Sequence, residues 1–234
     1  MNSFLNAIAS FFVYLYICLV WYSSKVLVVN ADEVVKYLSV EDAKGLILFS
    51  WHNKILLSPI IIGKIFKKFN KYVLISGKSE GRIIKKVSKK FGITSIKTFN
   101  VKSKNSKSFS NIDARREELH LKYGKNLYSL RKTIKILDKN NIFLLAADAI
   151  KGHAFNFSSS ILPLVKKTNS AITFGAISYK RYKQLNTWDK LQIPYPFNKI
   201  CIEFGDIYMG REFTDNMDKI LTKSLNDALE KTKL

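Results

Sequence analysis

The sequence predicts an α/β protein: a mixed, partly parallel sheet flanked by helices, with an N-terminal membrane helix. Three observations predict it. Continuous apolar runs of strand length recur at Leu46–Ser50, Tyr72–Ser76 and Ile142–Ala147, as in strands buried on both faces. Between them lie stretches whose apolar residues fall at helical spacing. The chain also opens on a 19-residue apolar and aromatic run, Phe4 to Tyr22.

The 234 residues suit one domain with a short appendage, and a hydrophobic content of 47 % supplies a core. Val26–Val29 reads as a short strand, and Ala31–Leu38 as a helix opened by Asn30 as N-cap. Leu46–Ser50 ends in Trp51-His52-Asn53, and Ile55–Phe69 reads as helical despite Pro59. After Tyr72–Ser76 comes a helix over Glu80–Phe91, with Ile83, Ile84, Val87 and Phe91 on one face and Gly92 where a terminating glycine belongs. Ser95–Phe99 is a strand, Asn100–Asn111 a Ser/Lys/Asn loop, and Leu127–Leu137 a helix. Ile142–Ala147 runs straight into Asp148. Ser159–Lys167 is a short helix, Ala171–Ser178 and Lys199–Phe204 are strands, and Thr214–Lys231 is a closing amphipathic helix.

As a helix, Phe4 to Tyr22 spans roughly 28 Å, close to the hydrocarbon thickness of a bilayer. No basic residue precedes it, the apolar run is long, and WYSSKVLVV offers no small-x-small cleavage site. These features favour an uncleaved anchor over a signal peptide; a monotopic helix lying in the interface is the alternative. The expected division is therefore an anchor over 1–24 and an α/β domain over 25–234. The basic chain after Lys25 places that domain in the cytoplasm, at the inner membrane.

The net charge is +21, from 39 Lys+Arg against 18 Asp+Glu. It is not spread evenly: Lys64 to Lys107 holds 14 basic residues and one acid, Glu80. Such a cluster calls for an anionic partner, and beside an apolar anchor an anionic membrane surface fits. An acidic acyl carrier or a phosphate-bearing substrate fits as well. No recognition helix, zinc finger or aromatic RNA-binding motif argues for nucleic acid. Cys18 and Cys201 exclude a disulfide framework, and the cysteines and three histidines show no metal-ligand spacing.

Reactive groups in open α/β sheets collect at the carboxyl ends of strands. Three such ends are notable here: His52, the segment Ser76-Gly77-Lys78-Ser79-Glu80, and Asp148. A histidine, a carboxylate and lysines converging there suit general-base chemistry on a hydroxyl, with the carboxylate orienting the imidazole. Asp148 serves equally well as a turn or helix N-cap residue.

The same segments carry a resemblance. In order, the chain has an apolar N-terminal helix, Trp51-His52-Asn53 after a strand, Ile75-Ser76-Gly77-Lys78-Ser79-Glu80-Gly81, and Phe91-Gly92-Ile93 before the next strand. Last comes Trp188-Asp189-Lys190-Leu191-Gln192-Ile193-Pro194-Tyr195-Pro196-Phe197. This pattern resembles the bacterial lysophospholipid acyltransferase-like family, small membrane-anchored proteins of the glycerolipid acyltransferase superfamily. The last stretch resembles the family's Trp-Asp-(Lys/Arg)-Phe-x-Ile-Pro-x-Pro-Phe signature, and the likeness runs over nearly the whole chain. There are departures. The family's Asp-Gly-Pro-Arg-Gly-Pro is here Asp148-Ala149-Ile150-Lys151-Gly152-His153, and Lys97 to Lys104 keeps basic character without the family's glycine. A stretch around Asn111–Leu130 is inserted. The superfamily's acid five positions after the histidine is Leu57 here.

The resemblance implies a glycerol-3-phosphate acyltransferase-like fold and an acyltransferase. A fatty acyl group would pass from an acyl carrier protein or acyl-CoA thioester to a hydroxyl of a lysophospholipid or related lipid acceptor. His52 would be the general base, with Glu80 or Asp148 as its partner acid. Lys78, Ser79, Lys102, Lys104, Lys151 and Gly152 would bind substrate. No metal and no cofactor beyond the thioester co-substrate is expected. Trp188-Asp189 reads as a packing and turn element shaping a wall of the site. The altered Asp148–His153 segment motivates the other reading, a catalytically inactive membrane-bound protein that binds lipid or acyl carrier.

Overall fold

The computed structural model describes residues 3–76, 79–98, 129–148 and 155–234. The elements are α1 (Ser3–Ser23), β1 (Lys25–Val29), α2 (Ala31–Leu38), β2 (Leu46–Ser50), α3 (Ser58–Ile65), β3 (Lys71–Ser76), α4 (Ser79–Lys90) and β4 (Ile93–Thr98). A helical stretch at 129–137 (α5) follows. Then come β5 (Ile142–Ala146), α6 (Leu162–Thr168), β6 (Ala171–Tyr179), β7 (Tyr182–Gln184), β8 (Gln192–Pro194), β9 (Lys199–Phe204), β10 (Tyr208–Met209) and α7 (Met217–Lys231).

The main sheet has the order β1-β9-β6-β2-β5-β3-β4, with β10 beside the start of β6. Strands β6, β2, β5, β3 and β4 run parallel. β9 is antiparallel to β6, and β1 is parallel to β9. The expected mixed, partly parallel α/β sheet is what the chain forms. Its parallel half is assembled from the continuous apolar runs, because both of its faces are covered.

Alternation along β2 shows the two faces. Leu46 and Leu48 belong to a core with Ile17, Val34, Ile60 and Ile61, from α1, α2 and α3, and with Phe66 just past α3. Ile47 and Phe49 point the other way, into a core with Leu137, Val165, Leu221 and Leu225, from α5, α6 and α7. The result is three layers: helices, sheet, helices.

Several boundaries differ from the sequence reading. Asn30 does precede α2, but it sits in a left-handed conformation (φ 59°) with no side-chain cap bond. The helix expected from Ile55 starts later, at Ser58, with Pro59 in its first turn, where a missing N–H costs nothing. A 3₁₀ turn, His52–Lys54, comes before it. Gly92 takes φ +73° just past α4, as a terminating glycine should. The short hairpin β7–β8 and the strand β10 were not foreseen; three exposed residues such as Tyr182–Gln184 carry no apolar signal.

α1 is a helix long and apolar enough to cross a membrane. It is also docked on the domain: Ile17 and Val20 are fully buried in the α2–α3 core. Asn6 and Ser10 face inward too, and the Ser10 hydroxyl donates to the Asn6 carbonyl. The opposite stripe, Leu5, Ile8, Phe12, Leu15, Leu19 and Tyr22, is exposed. The outward face of this helix is thus more uniformly apolar than the inward one, the reverse of an ordinary soluble surface helix.

Candidate active site

Parallel register places two residues side by side at the carboxyl end of the sheet. Ser50 of β2 pairs with Ala146 of β5, so the residues two positions on, His52 and Asp148, emerge together. The Ala147 N–H bonds the Ser50 carbonyl at 2.9 Å, carrying the ladder one step past the strands. Trp51, fully buried, turns toward α7 and donates its indole N–H to Asn226 Oδ1 at 3.0 Å. The 3₁₀ turn that begins at His52 then presents His52 and Lys54 to the hairpin β7–β8.

The hairpin supplies the carboxylate. β7 and β8 pair from Tyr182↔Pro194 to Gln184↔Gln192, and the loop between them is a tight turn closed by the Lys190 N–H on the Thr187 carbonyl. Lys190 takes φ +51° there. The Thr187 hydroxyl donates to Asp189 Oδ1 at 2.5 Å and accepts the Leu191 N–H at 3.2 Å. Asp189 is thereby fixed before it meets the rest of the site. Its Oδ2 lies 2.7 Å from His52 Nδ1. Trp188 leans over the imidazole, ring centroids 5.1 Å apart and planes at 44°.

Asp189 is buried, and burial pushes its carboxyl pKa up. The hydrogen bonds from Thr187 and His52 outweigh that and hold it below the ordinary value. An ionised Asp189 keeps the imidazole proton on Nδ1, which leaves the Nε2 lone pair available as a base. Among the described residues Nε2 has no hydrogen-bond partner.

Asp148 is not the imidazole's partner. Its carboxylate takes main-chain protons instead: Oδ1 accepts the His52 N–H at 2.7 Å and Oδ2 the Phe155 N–H at 3.3 Å. The reason is register. A residue two past β5 meets the backbone of the residue two past β2, and the His52 side chain leaves toward the hairpin. Asp148 fixes where His52 starts; Asp189 fixes how its ring is turned. Ser79 and Glu80 lie in the first turn of α4, with side chains outside the described ones. Lys78, Lys102, Lys104, Lys151 and Gly152 lie outside the described residues.

Lys54 was not singled out from the sequence. It is buried, its ammonium donates to Gln192 Oε1 at 2.5 Å, and it lies over the rings of Tyr179 (4.9 Å) and Tyr182 (5.7 Å). Two bridges therefore clamp the hairpin to the turn, His52–Asp189 and Lys54–Gln192. Burial lowers the Lys54 pKa from 10.5 to about 8. Below that pH the folded state carries a desolvation cost, and the cost fades as pH rises toward 10.5, where the unfolded chain also loses the proton. Relative to Lys54→Met, wild-type stability is expected to gain about 3 kcal/mol across that window. Denaturant melts of both proteins in a pH series check this; parallel pH profiles would refute it.

Fold and site together define a mixed α/β protein with a histidine–carboxylate pair at the carboxyl ends of parallel strands. No protein-family model matches the chain. The uncharacterized protein RP090 of Rickettsia prowazekii (strain Madrid E) is 27 % identical over 231 residues, which cover 97 % of this chain and 94 % of that protein. Among solved structures, the chain is similar to the 1-acyl-sn-glycerophosphate (LPA) acyltransferase PlsC from Thermotoga maritima. The TM-score is 0.49 at 11 % identity, over 97 % of this chain and 79 % of that one.

Proposed function

We propose that the protein transfers a fatty acyl group from an acyl carrier protein or acyl-CoA thioester to a hydroxyl of a lysophospholipid or related lipid acceptor. The observation that carries this reading is the 2.7 Å contact between His52 Nδ1 and the buried Asp189 carboxylate. His52 Nε2 takes the proton of the acceptor hydroxyl while its oxygen attacks the thioester carbonyl. The tetrahedral intermediate collapses with cleavage of the carbon–sulfur bond. The thiolate leaves with the proton returned by Nε2, so ester and free thiol are the products. Asp189 stabilises the imidazolium between the two proton transfers.

The lysines concentrated between Lys64 and Lys107 serve phosphate or an acidic carrier as point charges. α1 holds the site at the face of the inner membrane, where the acceptor is dissolved, with the α/β domain in the cytoplasm.

The test is transfer of labelled acyl groups from acyl carrier protein or acyl-CoA to a panel of lysolipid acceptors. His52→Ala is expected to lose on the order of 10²-fold or more in rate. Equal rates for the two proteins would remove His52 from the chemistry. Saturable lipid binding without product from any acceptor would replace the reaction with the binding-protein reading that the altered Asp148–His153 segment suggests.

A further inference from the structure

We infer that the protein lies along an anionic phospholipid bilayer rather than across it, seated on one surface made of the outer stripe of α1 and the loop Tyr195–Phe197. The inference extends the membrane attachment proposed above and is independent of the acyl-transfer chemistry.

The packing of α1 rules its orientation. Lys90 of α4 lies 4.3 Å from the ring centroid of Tyr14 and 5.5 Å from that of Phe11, midway along α1. Lys86, Lys89 and Lys90 line the cleft beside Ala7, Ser10 and Phe11. Were α1 to span the bilayer while docked this way, three lysines would be carried into hydrocarbon, which charged side chains strongly resist. With α1 in the plane of the interface, its outer stripe, from Leu5 to Tyr22, meets the acyl chains. The lysine stems then run outward to the headgroups.

The loop continues that surface. The Tyr16 hydroxyl donates to the Pro194 carbonyl at 2.8 Å, and the Phe197 N–H donates to Ser23 Oγ at 2.9 Å, so the loop is fastened to the C-terminal half of α1. Phe197 is 75 % exposed and holds φ +54°. Exposure of a phenyl ring on a left-handed backbone is unfavourable on both counts, and such strain persists where something is gained from it. The loop is also rigid. The Arg181 guanidinium donates to the Phe197 carbonyl at 2.6 Å, and the buried Asn198 side chain bonds the Arg181 and Lys199 main chain. A fixed aromatic wedge results.

Charge complementarity names the occupant. Lys25 faces Lys199 across the β1–β9 pair, and the Lys180 N–H bonds the Lys199 carbonyl. With Arg181 these make four exposed cations beside Phe197, and among the described residues none has an ion-pair partner. Aromatic side chains flanked by unpaired cations fit the headgroup region of anionic phospholipid.

The experiment uses the full chain on vesicles of phosphatidylcholine with phosphatidylglycerol. Trp21→Phe and Trp188→Phe leave the fully buried Trp51 as a constant background, and Phe12→Trp or Phe197→Trp adds one reporter at a time. Lipids brominated near the headgroup or near the chain ends measure depth. Both reporters are expected to lose more emission to the shallow bromines than to the deep ones, with the background alone unaffected. No quenching at position 197 in vesicle-bound protein would overturn the loop's role. Strongest quenching at position 12 by the deep bromines would overturn the in-plane orientation. Lys25→Ser with Lys180→Ser and Lys199→Ser is expected to weaken partition onto phosphatidylglycerol vesicles by about tenfold or more. An unchanged partition would refute the electrostatic part. Circular dichroism confirms that each variant is folded, and none of these readouts uses acyl transfer, so failure here leaves that reading standing.

Discussion

Asp189→Asn is expected to lower the acyl-transfer rate by on the order of 10²–10⁴ while the protein remains folded. An amide at this position keeps the shape and loses the charge. It offers an N–H to His52 Nδ1, which then accepts, and the proton moves to Nε2, where the base should be. KM for the lipid acceptor is expected to stay near the wild-type value, because Asp189 touches the imidazole and not the substrate. A fall in KM-related binding with kcat unchanged would instead make Asp189 a wall of the site. The same substitution has a pH signature. The Asp189 carboxyl lies below its ordinary value of 3.8 in the fold. A depressed carboxylate pKa gives stability that is present above the unfolded value and lost as pH falls through the folded one. The wild-type advantage in stability over Asp189→Asn is therefore full above about pH 4 and fades below it.

Asp148→Ala is expected to cost about 3 kcal/mol of stability and to lower activity with it. The substitution strands two part-buried main-chain donors, the N–H groups of His52 and Phe155. It also releases the start of the 3₁₀ turn that carries His52 and Lys54. Asp148→Asn keeps an oxygen that can accept one of the two protons, so its loss should be smaller. Denaturant unfolding and transfer assays on the pair check the order. Equal stability of Asp148→Ala and wild type would show that Asp148 does not organise the turn.

The sheet was legible because its central strands are continuous apolar runs. Leu46–Ser50 and Lys199–Phe204 were located to the residue, and Ile142 onward to within one. The shortest strands were not, since β10 is two residues long and β7, in the separate hairpin, is wholly exposed. His52 was legible from its place just past a buried strand. Its partner was not, because strand-end position points to Glu80 and Asp148, where chain reversal in an α/β sheet brings groups together. Asp189 comes instead from a hairpin 137 positions away. The local sign was Thr187-x-Asp189, a hydroxyl able to lock a carboxylate two residues on. Lys54 showed no sign at all: a lone lysine after a histidine reads as solvated, and only the rings of Tyr179 and Tyr182 reveal that it is enclosed.

The pairing of β1 with β9 has a consequence for how the chain is made. Lys25 faces Lys199 and the Asn198 N–H bonds Ser24 Oγ, partners 174 residues apart. At ribosomal speeds of about 5–20 residues per second, β1 waits roughly ten seconds or more for its neighbour to be synthesised. Through that interval the apolar stripe of α1 stands beside an unpaired strand edge, which in water invites aggregation. A lipid surface met early would shelter both. Vectorial synthesis and long-range pairing together thus make closure of the sheet a late event, and the His52–Asp189 pair is completed only once the β7–β8 hairpin has been made.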